Sequence, residues 1–168
     1  MVKHTNVLSK TLLQLVKSER ERIQKDNVWR VSQLFWDEKI LDNVVSSCVS
    51  AKVSEQLTKL IILEVKDKLP EFNDLLIQHY VWLPGSGIST HHDRGYNFGA
   101  TIYLNESWNI NCGGIFLWRS GTNSEYTALS PTYNSMIVNT QSEEHLVTPV
   151  SFKTNEFRYT LQIWSDRK

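Results

Sequence analysis

The sequence predicts a mostly β protein with supporting α-helices: an antiparallel sandwich or barrel carrying helices on the outside of one sheet. Two observations carry that expectation. Apolar residues recur at helical spacing before Pro70, whereas beyond it short β-branched and aromatic runs alternate with turn residues. At least seven such runs fill roughly the last ninety residues with no helical pattern between them, which argues for antiparallel rather than parallel pairing.

Three helices are expected first. From about Thr5 to Lys25, Leu8, Leu12, Leu15 and Ile23 fall on one face with charges opposite. A second pattern follows Asp37, a suitable N-cap, with Ile40, Leu41, Val44, Val45 and Cys48 on one stripe. The third runs from about Lys52 to Leu69 through Val53, Leu57, Leu60, Ile61 and Val65, and Pro70 ends it because proline cannot continue the hydrogen-bond ladder. The strand candidates then follow as "LLIQHYVWL", "FGATIYL", "IFLW", "NSMIVNT", "EHLVTPV" and "FRYTLQIW", divided by turns such as "PGSG", "NESWNINCGG" and "RSGTNS". One domain over residues 1–168 is expected, with 1–70 as helical support and 71–168 as the β core.

Composition excludes more than it selects. Eighteen Lys and Arg balance eighteen Asp and Glu, which gives no broad basic surface for nucleic acid or an anionic membrane. Two cysteines, Cys48 and Cys112, stand far apart and match no metal-binding spacing. With no apolar leader or membrane-length run, the expectation is a soluble protein of the reducing cytoplasm. "PGSG" lacks the lysine and following helix of a phosphate loop.

The chemistry begins in "HHDRGYNFGATIYLN", residues 91–105. In an extended chain residues i and i+2 point to one side, so His91 and Asp93 share a face while His92 and Arg94 point away. An imidazole and a carboxylate converging in this way form two legs of a first-row metal site. Of the remaining histidines, His4 is in the N-terminal tail and His79 on an earlier strand, which leaves His145 as the third leg. Two histidines and one carboxylate suit non-haem Fe(II) and oxygen chemistry. In the last strand Arg158, Thr160, Gln162 and Trp164 share one face, opposite Tyr159, Leu161 and Ile163. A row of Arg, Thr and Gln implies a polar cavity, and an arginine fork suits a small carboxylate.

Several motifs in order resemble the iron(II)/2-oxoglutarate-dependent dioxygenases, in their prolyl-hydroxylase-like branch. "PGSGISTHHD" looks like the approach to the H-x-D pair, and "TIYLNESW" with "GGIFLW" like a strand followed by a glycine pair. "LSPTYNSMIV" is similar to the branch's proline-asparagine turn, "EHLVTPV" to the distal histidine segment, and "RYTLQIW" to the closing strand. The likeness covers Tyr80 to Trp164, about half of the chain; the first seventy residues match nothing specific. Ile115 stands where the branch commonly has an acidic residue after the glycines.

The resemblance implies a double-stranded β-helix of the jelly-roll, cupin-like type with its N-terminal helices packed outside. It implies Fe(II) at His91, Asp93 and His145, 2-oxoglutarate and O2 as cosubstrates, and ascorbate as an optional reductant. Arg158 would pair with the far carboxylate of 2-oxoglutarate and Tyr103 would hydrogen-bond it, with Thr160 and Gln162 as polar neighbours. Tyr80, Trp82 or Leu83 would also face the pocket. The implied reaction is hydroxylation of an unactivated C–H, first of all in a peptidyl proline, with decarboxylation of 2-oxoglutarate to succinate. A carboxylate at position 93 favours hydroxylation over the halogenation of relatives that carry a small residue there. The alternatives are a hydroxylase of a free amino acid or small metabolite and an AlkB-like nucleic-acid demethylase. That last group usually has a second arginine six residues beyond the first, where this chain has Trp164. Substrate choice is expected from the loops Asn105–Cys112 and Ser120–Tyr126.

Overall fold

A computed structural model describes residues 1–31, 48–121, 125–140 and 143–165. Two antiparallel sheets face one another. The larger has seven strands in the order β1 (Val2–Thr5), β9 (Ser135–Asn139), β6 (Gly99–Tyr103), β11 (Arg158–Ser165), β4 (Leu75–Trp82), β3 (Val49–Lys52), β2 (Arg30–Val31). The smaller has four: β5 (Ile88–His91), β10 (Glu144–Val147), β7 (Phe116–Arg119) and β8 (Thr127–Leu129). The chain passes repeatedly between the sheets, in the manner expected of a double-stranded β-helix.

Strand alternation divides the large sheet into two chemically different faces. Ile77, Ile102, Met136, Val138, Leu161 and Ile163 turn outward and are buried with Leu12 and Val16 of helix α1 (Lys10–Asp26) and Leu57, Ile61 and Val65 of α2 (Glu55–Val65). Each such side chain contributes about 1.5–3 kcal/mol by leaving water. The inner face carries Tyr80, Trp82, Tyr103 and Ile137, which meet Phe116 and Val147 of the small sheet.

The expected N-terminal helices need three corrections. Val2–Thr5 is an edge strand paired with β9, and α1 begins at Lys10, where Ser9 accepts the Leu12 N–H at 3.2 Å. Leu8 is buried ahead of the helix, and Leu15 is 45% exposed while Val16 is buried, so the buried stripe is Leu12, Val16 and Ile23. Residues 49–52 form a strand because their partner, β4, offers an open edge, and α2 begins only after Ser54. Leu60 is accordingly exposed. The helix expected after Asp37 lies outside the described residues, apart from buried Cys48. Among the described residues no helix is long and apolar enough to cross a membrane.

One polar pair sits within the outer apolar layer. His79 Nε2 donates to Glu19 Oε1 at 3.2 Å, linking β4 to α1. Burial alone would raise the Glu19 pKa, but the bonds from His79 and Ser54 outweigh it and hold the carboxyl at about 2. His79 therefore faces the helices, away from the interior between the sheets.

Candidate metal centre

Asp93 and two histidines converge at one end of the space between the sheets. The ligand-capable atoms of His91, Asp93 and His145 all lie within 4.8 Å of one another. His145 Nε2 is 3.3 Å from Asp93 Oδ2, His91 Nε2 is 3.6 Å from Oδ1, and the two imidazole centroids are 4.2 Å apart. Register makes the histidines neighbours, since His145 of β10 pairs directly with His91 of β5. Strand β5 ends at His91, so Asp93 belongs to the turn that follows and not to a strand continuing into β6. The extended step through His92 still turns the two side chains to one side. His92 is exposed, with its Nε2 3.9 Å from Glu144 Oε2.

Both candidate ligand histidines have a fixed tautomer. His91 Nδ1 lies 2.8 Å from the Ser89 carbonyl, and His145 Nδ1 lies 2.8 Å from the Glu143 carbonyl. A carbonyl can only accept, so each Nδ1 carries the proton and each Nε2 lone pair is left facing Asp93. Burial, and then the charge of His145, lower the His91 pKa, with Asp93 opposing. The neutral ring is the form that binds metal.

The other end of the cavity is sealed around Arg158. Its side chain is 1% exposed, its guanidinium carbon lies 4.7 Å from the Trp82 ring and 5.2 Å from the Tyr103 ring, and it forms no ion pair among the described residues. Among the described residues Nε and Nη1, and the Tyr103 hydroxyl beside them, find no partner at hydrogen-bond distance, although the hydroxyl and the guanidinium are near enough to stabilise one another. Burial is the main force lowering the Arg158 pKa, though a guanidinium stays charged; burial likewise pushes Tyr103 up to about 12, with the Arg158 charge opposing. A buried cation without a counter-charge costs several kcal/mol. Three unsatisfied donors in one pocket are what a carboxylate would repay, so the donor set fits the anion expected there.

Between the ends lies a narrow cavity of about 50 Å³, lined by Tyr80, Trp82, Thr101, Phe116, Gln162 and Trp164, with the three candidate ligands and Arg158. Tyr80 and Trp82 face it and Leu83 does not. Thr160 Oγ1 accepts the Trp82 indole N–H at 3.1 Å, which leaves its own O–H free to donate, and Gln162 Oε1 accepts the Thr101 hydroxyl at 2.8 Å. Trp164 walls the metal end and packs on Tyr96 at 4.9 Å. Of the two expected substrate loops, Ser120–Tyr126 falls partly outside the described residues; its Tyr126 donates to Glu144, the neighbour of His145, at 2.7 Å. Asn105–Cys112 lies at the Arg158 end, where the Cys112 carbonyl accepts from Ser151.

Sequence reading passes over Gly99 and Asn139 and takes Gly114 only as a turn glycine. Gly99 sits beneath Asp93, and a Cβ there would be 2.9 Å from Trp164 and 3.3 Å from Asp93 Oδ2. Gly114, at φ +64, would press a Cβ to 2.6 Å from Arg158 Cδ. It is a close-approach glycine as well as a turn glycine. Asn139 closes strand β9 beside Asp93. A polar residue ending a strand looks like a turn signal, which hid it.

A family model described as the 2OG-Fe(II) oxygenase superfamily matches residues 70–166. No curated protein sequence matches the chain. Among solved structures, a Pseudomonas putida prolyl-4-hydroxylase superposes with a TM-score of 0.73 at 16% identity, over 99% of this chain and 92% of that one. A Trichoplax adhaerens prolyl hydroxylase in complex with a hypoxia-inducible-factor peptide fragment gives 0.72 at 15% identity, over 98% and 82%. The carbocyclase SnoK from nogalamycin biosynthesis gives 0.69 at 11% identity, over 98% and 79%. At these identities the likeness is one of fold.

Proposed function

The chain belongs to the 2OG-Fe(II) oxygenase superfamily and is a 2-oxoglutarate-dependent dioxygenase, and on that premise we propose that it hydroxylates a peptidyl proline. In this reading His91, Asp93 and His145 hold Fe(II), and Arg158 with Tyr103 anchors 2-oxoglutarate. One observation carries the cosubstrate assignment: a fully buried guanidinium with open N–H groups in the same cavity as the His-Asp-His cluster. We read residues 1–168 as one oxygenase domain, since strands β1 and β3 of the first fifty-two residues pair directly into the large sheet.

When bound, Fe(II) with 2-oxoglutarate and O2 supplies the oxidising power for C–H hydroxylation, the cosubstrate leaving as succinate and CO2. The chain's own contribution is placement. His91 and His145 present neutral Nε2 lone pairs, and Asp93 adds a carboxylate from the same side. Arg158 donates charge-assisted bonds to the far carboxylate, and the Tyr103 hydroxyl adds another. Phe116, Ile137 and Val147 keep water from the space between. The Thr101–Gln162 bond holds the Gln162 amide against the cavity wall.

Support for a proline substrate comes from the metal end. Trp164, backed by Tyr96, gives a flat apolar wall beside Asp93, suited to a saturated ring. Two of the proteins with a similar fold are prolyl hydroxylases, one of them in complex with a peptide fragment. Because a carbocyclase shares the fold, the deciding assay must compare classes. Succinate formation is measured with proline peptides, free amino acids and methylated oligonucleotides. Stimulation by proline peptides is expected; stimulation by another class alone refutes the proline assignment.

A further inference from the structure

We propose that Asn139 is a positioning residue for the metal centre, setting Asp93 through its side-chain N–H and His145 through the Glu143 peptide. The inference rests on the reading of His91, Asp93 and His145 as metal ligands. Across the large sheet Asn139, Gly99 and Trp164 are successive partners, Gly99 pairing with Asn139 on one side and with Trp164 on the other. The middle position has no side chain, which leaves a notch between an amide and an indole. The Asp93 carboxylate, from the turn after β5, occupies it, with Oδ2 3.3 Å from where a Gly99 Cβ would stand.

Asn139 is 5% exposed, and both ends of its amide are used. Oδ1 accepts the Glu143 backbone N–H at 3.2 Å, which orients the amide and turns Nδ2 towards Asp93 Oδ2, 3.5 Å away. The same Glu143 residue presents its carbonyl to His145 Nδ1 at 2.8 Å, the bond that fixes the tautomer of that ligand. One buried side chain thus links two ligands that come from different elements of the small-sheet side. Groups that orient ligands in this way commonly change metal affinity by about 10- to 100-fold when removed. The competing view is that Asn139 merely ends β9.

The test is Mn(II) affinity of the full-length, metal-stripped protein, with the Co(II) absorption spectrum as a report on ligand geometry. Asn139→Ala and Asn139→Ser are compared with Asn134→Ala, which removes a buried two-bond clip on Leu8 remote from the cluster. We expect both Asn139 variants to weaken Mn(II) by about 10- to 100-fold and to shift the Co(II) spectrum, while Asn134→Ala lowers the melting temperature and leaves both unchanged. Mn(II) affinity within twofold of wild type for Asn139→Ser overturns the proposal, as does an equal loss in Asn134→Ala. His145→Ala separates the two levels. If it too keeps Mn(II), the metal centre itself is misplaced; if it alone loses Mn(II), only the role of Asn139 falls.

Discussion

The two ends of the cavity solve different problems with the same strands. At the metal end His91 closes β5, Asp93 lies in the turn after it and His145 lies within β10, the first two half-buried and the third buried, each imidazole held by a carbonyl two residues earlier. At the other end Arg158 projects from the start of the central strand β11, sealed beneath Gly114 and between two aromatic rings, with its donors unmet. A metal site must exchange water, oxygen and substrate, so its ligands are pre-satisfied at their outer atoms and reachable at their inner ones. An anion anchor has one partner, and sealing it lowers the local dielectric and strengthens the pair. The cost is a cation whose counter-charge must come from the ligand.

The largest effect should break the metal end alone. His91→Ala or His145→Ala should abolish metal-dependent succinate formation and metal binding, whereas His92→Ala should keep the metal, because His92 points to Glu144 on the outside. Loss of metal in His92→Ala would show the assignment to be wrong by one residue; metal titration reads this directly.

Breaking the other end should spare the metal. Charge-assisted bonds are worth roughly 1.5–3 kcal/mol, so Arg158→Ala should weaken 2-oxoglutarate by about one to two orders of magnitude. Arg158→Lys keeps the charge but not the fork and should fall between. The sealed, unpaired state adds a sharper expectation. Arg158→Met, which fills the space without a charge, should leave the melting temperature of the ligand-free protein unchanged or higher. A protein that unfolds on Arg158→Met would make the guanidinium structural.

A smaller effect is expected at Gly114. An alanine there meets Arg158 Cδ at 2.6 Å and takes a left-handed backbone, costing about 1 kcal/mol in backbone strain alone. Gly114→Ala should therefore lower 2-oxoglutarate affinity and stability together, and the affinity loss should shrink in an Arg158→Ala background, which has no Cδ to meet. Equal losses in both backgrounds would show that Gly114 does not act through Arg158. Tyr103→Phe should be the mildest, a few-fold loss of cosubstrate affinity. Titration of 2-oxoglutarate against the Mn(II)-loaded protein measures both.

Legibility followed chemistry and period. The inward set Arg158, Gln162 and Trp164 was readable because an eight-residue strand with an apolar opposite face admits one parity. His91 and Asp93 were readable for the same reason, although the strand ends between them. Asn139 was not, because β9 is buried on both faces and its sequence "SMIVN" shows no alternation to say which side is which.

By itself the sequence determined the β-rich class and the faces that the candidate ligands occupy, since these depend on local periodicity and on side-chain chemistry. Only the tertiary structure decided that Val2–Thr5 and Val49–Lys52 are strands, because their pattern is too short to choose and the open edges of β9 and β4 chose for them. It also decided why glycine stands at 99 and 114. Each is required by a side chain more than forty residues away, or by one across the sheet, pressing where a Cβ would be. No local pattern records a contact of that range.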